Sequence, residues 1–108
     1  MSVSGKIDKR LKGIVFNIYG QKIPCRPVKN MAQTTGDIGR FYYVENEIVF
    51  DPDIEPLHTL LHEFIHTMAH RLSWNQFLEK QAEEMLADTI ALALMENFEI
   101  KPRKVRKS

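Results

Sequence analysis

Cysteine is almost missing from this chain: Cys25 stands alone among 108 residues. A single thiol excludes an internal disulfide framework and a cysteine-built zinc site, and it fits a reducing compartment such as the cytoplasm. Long apolar runs are missing too. The longest, around "LADTIALALM", is too short and too interrupted to span a bilayer, so no membrane partner is expected. The N-terminal "MSVSGKIDKRLKG" lacks the apolar segment that a secretory leader carries. Lysine and arginine are absent from residues 45–63, which hold six carboxylates. With no internal repeat and no low-complexity linker, residues 1–108 are read as one domain with a modest core.

What is present is ordinary for a globular protein, with 44% hydrophobic and 27% charged residues. The net charge is +1, but basic residues gather in the first 29 positions and in the tail 101–108, "KPRKVRKS". That tail is read as a flexible, solvated end. Its five positive charges carry no interleaved aromatics, which makes nucleic acid an unlikely partner.

Residues 14–19, "IVFNIY", are β-branched and aromatic and predict a strand. "KIPCRPV" continues as a second strand after a turn at Gly20, and Pro24 and Pro27 confine it to an edge or an irregular path. Residues 30–40 read as a loop, and "RFYYV", "ENE" and "IVFD" as a hairpin. Helices follow from about Glu55 to Leu72 and from about Leu78 to Phe98, where Pro102 prevents continuation. Strands first and helices second predict an α+β fold, a small antiparallel sheet packed against two main helices.

All four histidines fall in "HTLLHEFIHTMAH", at positions 58, 62, 66 and 70. Only His62 is followed by glutamate, so residues 62–66 read H-E-x-x-H. On a helix, residues four apart stand one turn up and about 40° round, so both imidazoles can face one ion. Glu63 beside the first ligand reaches a water rather than the metal, where a general base is needed. Leu57, Leu60, Leu61, Phe64, Ile65, Met68, Ala69 and Leu72 form the apolar arc of this helix, and His62 and His66 lie at its border. Three successive turns of one helix cannot converge on one metal, so His58 is read as a packed, hydrogen-bonded histidine. His70 is read as an exposed one that could touch the rim of a cleft.

Catalytic zinc takes three protein ligands and leaves a position for water. No histidine follows His70, so the next candidates for the third ligand are carboxylates of "QAEEMLADTIALALMENF". Glu84 and Asp88, four apart on a largely apolar helix, need partners, because an unpaired buried carboxylate is costly. A zinc ion would satisfy Glu84, and the free N–H of a ligand histidine would satisfy Asp88. Glu83 is the rival ligand, since one residue of register exchanges the two.

"HEFIH" followed by "EMLAD" at residues 84–88 resembles the gluzincin metallopeptidases. The short chain, the preceding hairpin and the "LHTLLHEFIH" run are similar to small phage and prophage zinc peptidases of the ImmA/IrrE type, over roughly residues 14–98. The resemblance implies a minimal zincin-like fold, zinc on His62, His66 and Glu84, Glu63 as general base, and Asp88 behind a ligand histidine. The expected function is a zinc-dependent peptidase acting on a peptide or protein. The alternative is a catalytically idle, zinc-stabilised interaction module of phage origin, an inhibitor or a host-factor binder. Members of the wider group cut repressors, but no DNA-binding or sensor segment is recognisable here, so the substrate and the oligomeric state stay open. Tyr42, Tyr43 and His70 are the candidates for stabilising an oxyanion. The strand "EIVF", if it forms an exposed edge, would hold an extended peptide.

Overall fold

A computed structural model describes residues 9–18 and 20–100; the basic tail, 101–108, lies outside them. A short turn of 3-10 helix at Lys9–Leu11 leads into β1 (Ile14–Ile18) and β2 (Gln21–Pro27). Then come α1 (Met31–Thr35), β3 (Gly39–Tyr42), β4 (Glu47–Phe50), α2 (Pro56–Arg71), a 3-10 turn at Trp74–Gln76, and α3 (Lys80–Asn97). This is the expected α+β organisation, with two main helices and a four-stranded sheet. No helix among the described residues is long and apolar enough to cross a membrane.

The sheet runs in the order β1-β2-β4-β3 and is mixed rather than purely antiparallel. β1 with β2 and β3 with β4 are antiparallel hairpins, while β2 and β4 pair parallel, Cys25 opposite Ile48 and Pro27 opposite Phe50. Local patterns reveal hairpins; the parallel pair joins strands separated by α1 and β3, which no local pattern reports.

That pairing also places β2 inside the sheet, contrary to its expected edge position. The two prolines are tolerated because the ladders are staggered. Pro24 pairs with Val15 but precedes the β4 ladder, which starts at Cys25. Pro27 pairs with Phe50 but lies past the β1 ladder, which ends at Cys25. Each proline therefore has a strand on one side only, and its missing N–H breaks no ladder on the other.

The expected loop at 30–40 contains α1, a helix too short to show a hydrophobic period. Gly36, at φ 83°, closes it by donating its N–H to the Ala32 carbonyl. The buried Asp51 carboxylate accepts the Ala32 and Asp53 N–H groups, tying α1 to the end of β4.

Ile14, Ile18, Ile23, Cys25, Ile48, Phe50 and Leu60 form the main core between the sheet and α2, with Phe16, Phe41, Phe64 and Met68 packed against it. Burial raises the Cys25 thiol to a pKa of about 12. A second, smaller cluster of Ile65, Ala87 and Ala91, flanked by Leu61, joins α2 to α3. The layers are therefore sheet, α2 and α3. Only α2 lies broadly on the sheet; α3 rests on the far side of α2, and the seam between the two helices holds the polar groups described next.

Candidate metal centre

α2 and α3 pack side by side with alanines between them, so long polar side chains at the border of the contact can meet. His62 and His66 project from α2, one turn apart, with Nε2 atoms 3.0 Å apart. Glu84 of α3 meets both: its Oε1 stands 3.3 Å from His62 Nε2 and in close contact with His66 Nε2. One ligand atom from each of these three residues lies within 4.8 Å of the others.

The outer nitrogens of both rings are held as well. His62 Nδ1 faces Asp88 Oδ1 at 2.7 Å, and His66 Nδ1 faces Glu83 Oε2 at 2.5 Å. Each imidazole thus presents Nδ1 to a carboxylate and Nε2 to the common point. A carboxylate on the far nitrogen fixes the ring's tautomer and orientation and raises its basicity toward a metal. The geometry separates the two glutamates that the sequence left as rivals: Glu84 faces the common point, and Glu83 backs His66. The backing role of Glu83 was missed in the sequence.

The donor set fits a metal. Tetrahedral zinc ligands at about 2.0–2.1 Å stand roughly 3.3 Å from one another; the separations of His62 Nε2 from His66 Nε2 and from Glu84 have that scale, while Glu84 stands closer to His66. Two imidazole nitrogens and a carboxylate oxygen converge on one point, an arrangement that a cation can occupy. Nitrogen and oxygen donors with no sulfur suit zinc.

Electrostatics concentrate on the α2 side. Burial raises the Glu63 carboxyl above its ordinary range, although His66 and His62 pull it back. Burial alone would depress His66, but its contact with Glu83, helped by Glu63 and Glu84, leaves it above the ordinary histidine value. Glu63 lines a cavity of about 140 Å³ with Ile38, His58, Thr59, His62 and Asp88. β3 closes over this part of α2 because Gly39 has no side chain. A Cβ there would stand 2.3 Å from Thr59 Cγ2 and 3.3 Å from Glu63 Cγ. Gly39 and Ile38 are thus site-shaping residues that a loop-like glycine pattern did not single out.

The outer histidines separate from the centre. His58 stands in the cavity wall, 6.3 Å from the His62 ring, rather than simply packed in the core. His70 packs against Tyr43 at 5.3 Å and Phe41 at 5.8 Å, a cluster that includes none of the converging ligands. Phe41 packs toward α2 in the core, so Tyr42, its neighbour in β3, faces away from that helix. Tyr42 instead carries the Arg40 guanidinium over its ring. None of the three oxyanion candidates, Tyr42, Tyr43 and His70, lines the cavity around Glu63. "EIVF", as β4, lies between β2 and β3 and offers no edge; the free edge nearest α2 belongs to β3.

Compared with protein-family models, with curated proteins and with solved structures, the chain shows no match.

Proposed function

We propose that this protein is a zinc-dependent peptidase of the gluzincin kind, with His62, His66 and Glu84 as metal ligands and Glu63 as general base. The observation that carries the reading is the double use of each histidine: Nε2 turned to Glu84, Nδ1 held by a carboxylate. Helix-surface histidines do not ordinarily have both ring nitrogens committed in this way.

A bound zinc ion supplies Lewis acidity, lowering the pKa of water toward neutrality and polarising a peptide carbonyl. The chain's own groups do the rest. Glu83 and Asp88 keep the two rings from turning and keep Nε2 available. Glu63, in a partly desolvated cavity, has its basicity raised toward working pH, where it takes a proton from water and returns it to the leaving amine. Asp88 and His58 border the same cavity, so the space beside Glu63 is polar on one side and apolar at Ile38. An extended peptide would add to the free edge of β3, which runs along α2. A reducing, cytoplasmic setting belongs to this reading and is supported by the lone, buried Cys25.

The deciding experiment is cleavage-site mapping on a peptide mixture with the zinc-loaded protein and its Glu63→Gln variant. The variant keeps the shape and lacks the base. Zinc content should be unchanged and hydrolysis should drop about 10²- to 10⁴-fold, the usual worth of a positioned base. Stoichiometric zinc with no cleavage by the unmodified protein would favour the idle interaction module instead.

A further inference from the structure

The cavity beside Glu63 has walls of unlike chemistry. α2 contributes His58, Thr59, His62 and Glu63, α3 contributes Asp88, and Ile38 stands just before β3. Its volume of about 140 Å³ far exceeds the roughly 10–15 Å³ that one water needs, so a whole side chain has room there.

The charge around this cavity has one sign. No lysine or arginine lines it. None occurs from Pro56 to His70 on α2 or from Gln81 to Asn97 on α3. Arg71 and Lys80 stand at the far end of the helix pair, about 20 Å along α2 from His58 in the case of Arg71. Arg40 is paired with Asp37 and lies over the Tyr42 ring. Glu63, Glu83, Glu84 and Asp88 outnumber the two charges of a bound zinc ion, so the field stays negative with the metal in place.

Hydrogen-bonding capacity points the same way. Asp88 uses Oδ1 on His62, and its side chain is 65% exposed, so its second oxygen is free to accept. His58 has no hydrogen-bond partner among the described residues, and a neutral imidazole keeps one acceptor nitrogen. Thr59 is a separate sign of a missing ligand. It is 3% exposed, it lines the cavity, and its hydroxyl is buried without a hydrogen-bond partner. An unmet buried hydroxyl is costly.

We infer that this cavity takes a basic side chain, arginine or lysine, from a residue next to the cleaved bond. Its stem lies along Ile38 and its cationic head among Asp88, Thr59 and His58. Guanidinium and ammonium groups only donate hydrogen bonds, which suits a group of acceptors, and their stems cover apolar surface while the heads stay in polar surroundings. A carboxylate side chain would meet charge of its own sign. An aliphatic one would leave Thr59 unmet and desolvate Asp88. The position of the cleaved bond rests on the peptidase reading; the chemistry of the cavity does not.

Three pentapeptides, alanines flanking a central arginine, citrulline or leucine, are titrated against the zinc-loaded full chain carrying Glu63→Gln. Citrulline has the shape of arginine without its charge. The arginine peptide should bind at least about tenfold more tightly than either of the others, as matched charge in a specific site does, and the difference should shrink as salt rises. Ile38→Arg, at a position 39% exposed, sets a like charge at the cavity wall and should remove the preference. Val44→Arg adds the same charge at the exposed β3–β4 turn and should keep it. Thr59→Val keeps the shape and should weaken the arginine peptide alone. Binding of no peptide, equal binding of all three or tightest binding of leucine overturns the inference. A preference that survives Ile38→Arg, or is lost in Val44→Arg, overturns it as well. Arginine preference without any cleavage by the unmodified zinc-loaded chain would remove the peptidase reading and leave the basic side-chain site standing.

Discussion

The two faces of α2 are built on different principles. The face toward the sheet closes over isoleucines, phenylalanines and a leucine, and its core members are nearly inaccessible to solvent. The face toward α3 has only Ile65, Leu61 and two alanines, and then a border of two histidines and three carboxylates. Large side chains in the first face hold strand and helix together by burial, at about 25 cal/mol per Å² of apolar surface. Small side chains in the second bring the helices close enough for Glu83, Glu84 and Asp88 to reach across. Stability and chemistry are thus separated across one helix. The border of that seam is polar, with both histidines paired to carboxylates of α3.

The sharpest way to break this contrast is to damage each face in turn. Phe50→Ala removes a fully buried ring from the sheet-side core and should destabilise the protein by about 3–5 kcal/mol in urea denaturation. Ala91→Gly, in the seam, should cost only about 1 kcal/mol, the helix-propensity difference. Comparable losses from the two changes would show that the seam carries as much packing energy as the core.

A smaller effect sharpens the seam itself. In competition with a chelator, Glu84→Ala should weaken zinc binding most. Glu83→Ala and Asp88→Asn should each weaken it about 10- to 100-fold, as partners that orient a ligand do. If Glu83→Ala proves worse than Glu84→Ala, the carboxylate facing the metal has been assigned to the wrong glutamate.

The smallest expected effect is on pH. In the metal-free protein, the raised His66 value means that the folded state holds its proton more tightly than the unfolded chain. That stabilisation is fully present below the unfolded value of 6.5 and is lost as pH rises through the higher folded value. Zinc requires the deprotonated ring, so its apparent affinity should keep rising above pH 6.5 over the same window. Thermal denaturation without zinc should therefore show stability falling with pH over that window, and with saturating zinc a nearly flat profile, because neither the zinc-bound nor the unfolded chain holds the His66 proton there; parallel slopes would mean that His66 is not a ligand.

The parts legible in the sequence were those set by local periodicity. Four-residue spacing placed His62 and His66 on one face of α2 and set Glu84 and Asp88 on one side of α3, and both helices end within two residues of the expected positions. The parts not legible depend on non-local contact. The parallel β2–β4 pair, the interior place of a proline-bearing strand and the interior place of "EIVF" follow from which strands meet. α1 spans five residues, less than two turns, and leaves no period to read. Glu83 could not be told from Glu84 by spacing alone, because the register of α3 against α2 is decided by the alanines between them. Gly39 reads as a loop glycine until Thr59 is seen where its side chain would be.

The central claim, that the seam is a zinc site built from two histidines and Glu84, is tested most directly by X-ray absorption at the zinc edge of the loaded protein. The account predicts one zinc per chain, with two imidazole nitrogens at about 2.0–2.1 Å and the remaining ligands oxygen. A third imidazole in the shell would bring His58 or His70 into the site, and a shell of oxygens alone would leave His62 and His66 out of it; either result contradicts the account.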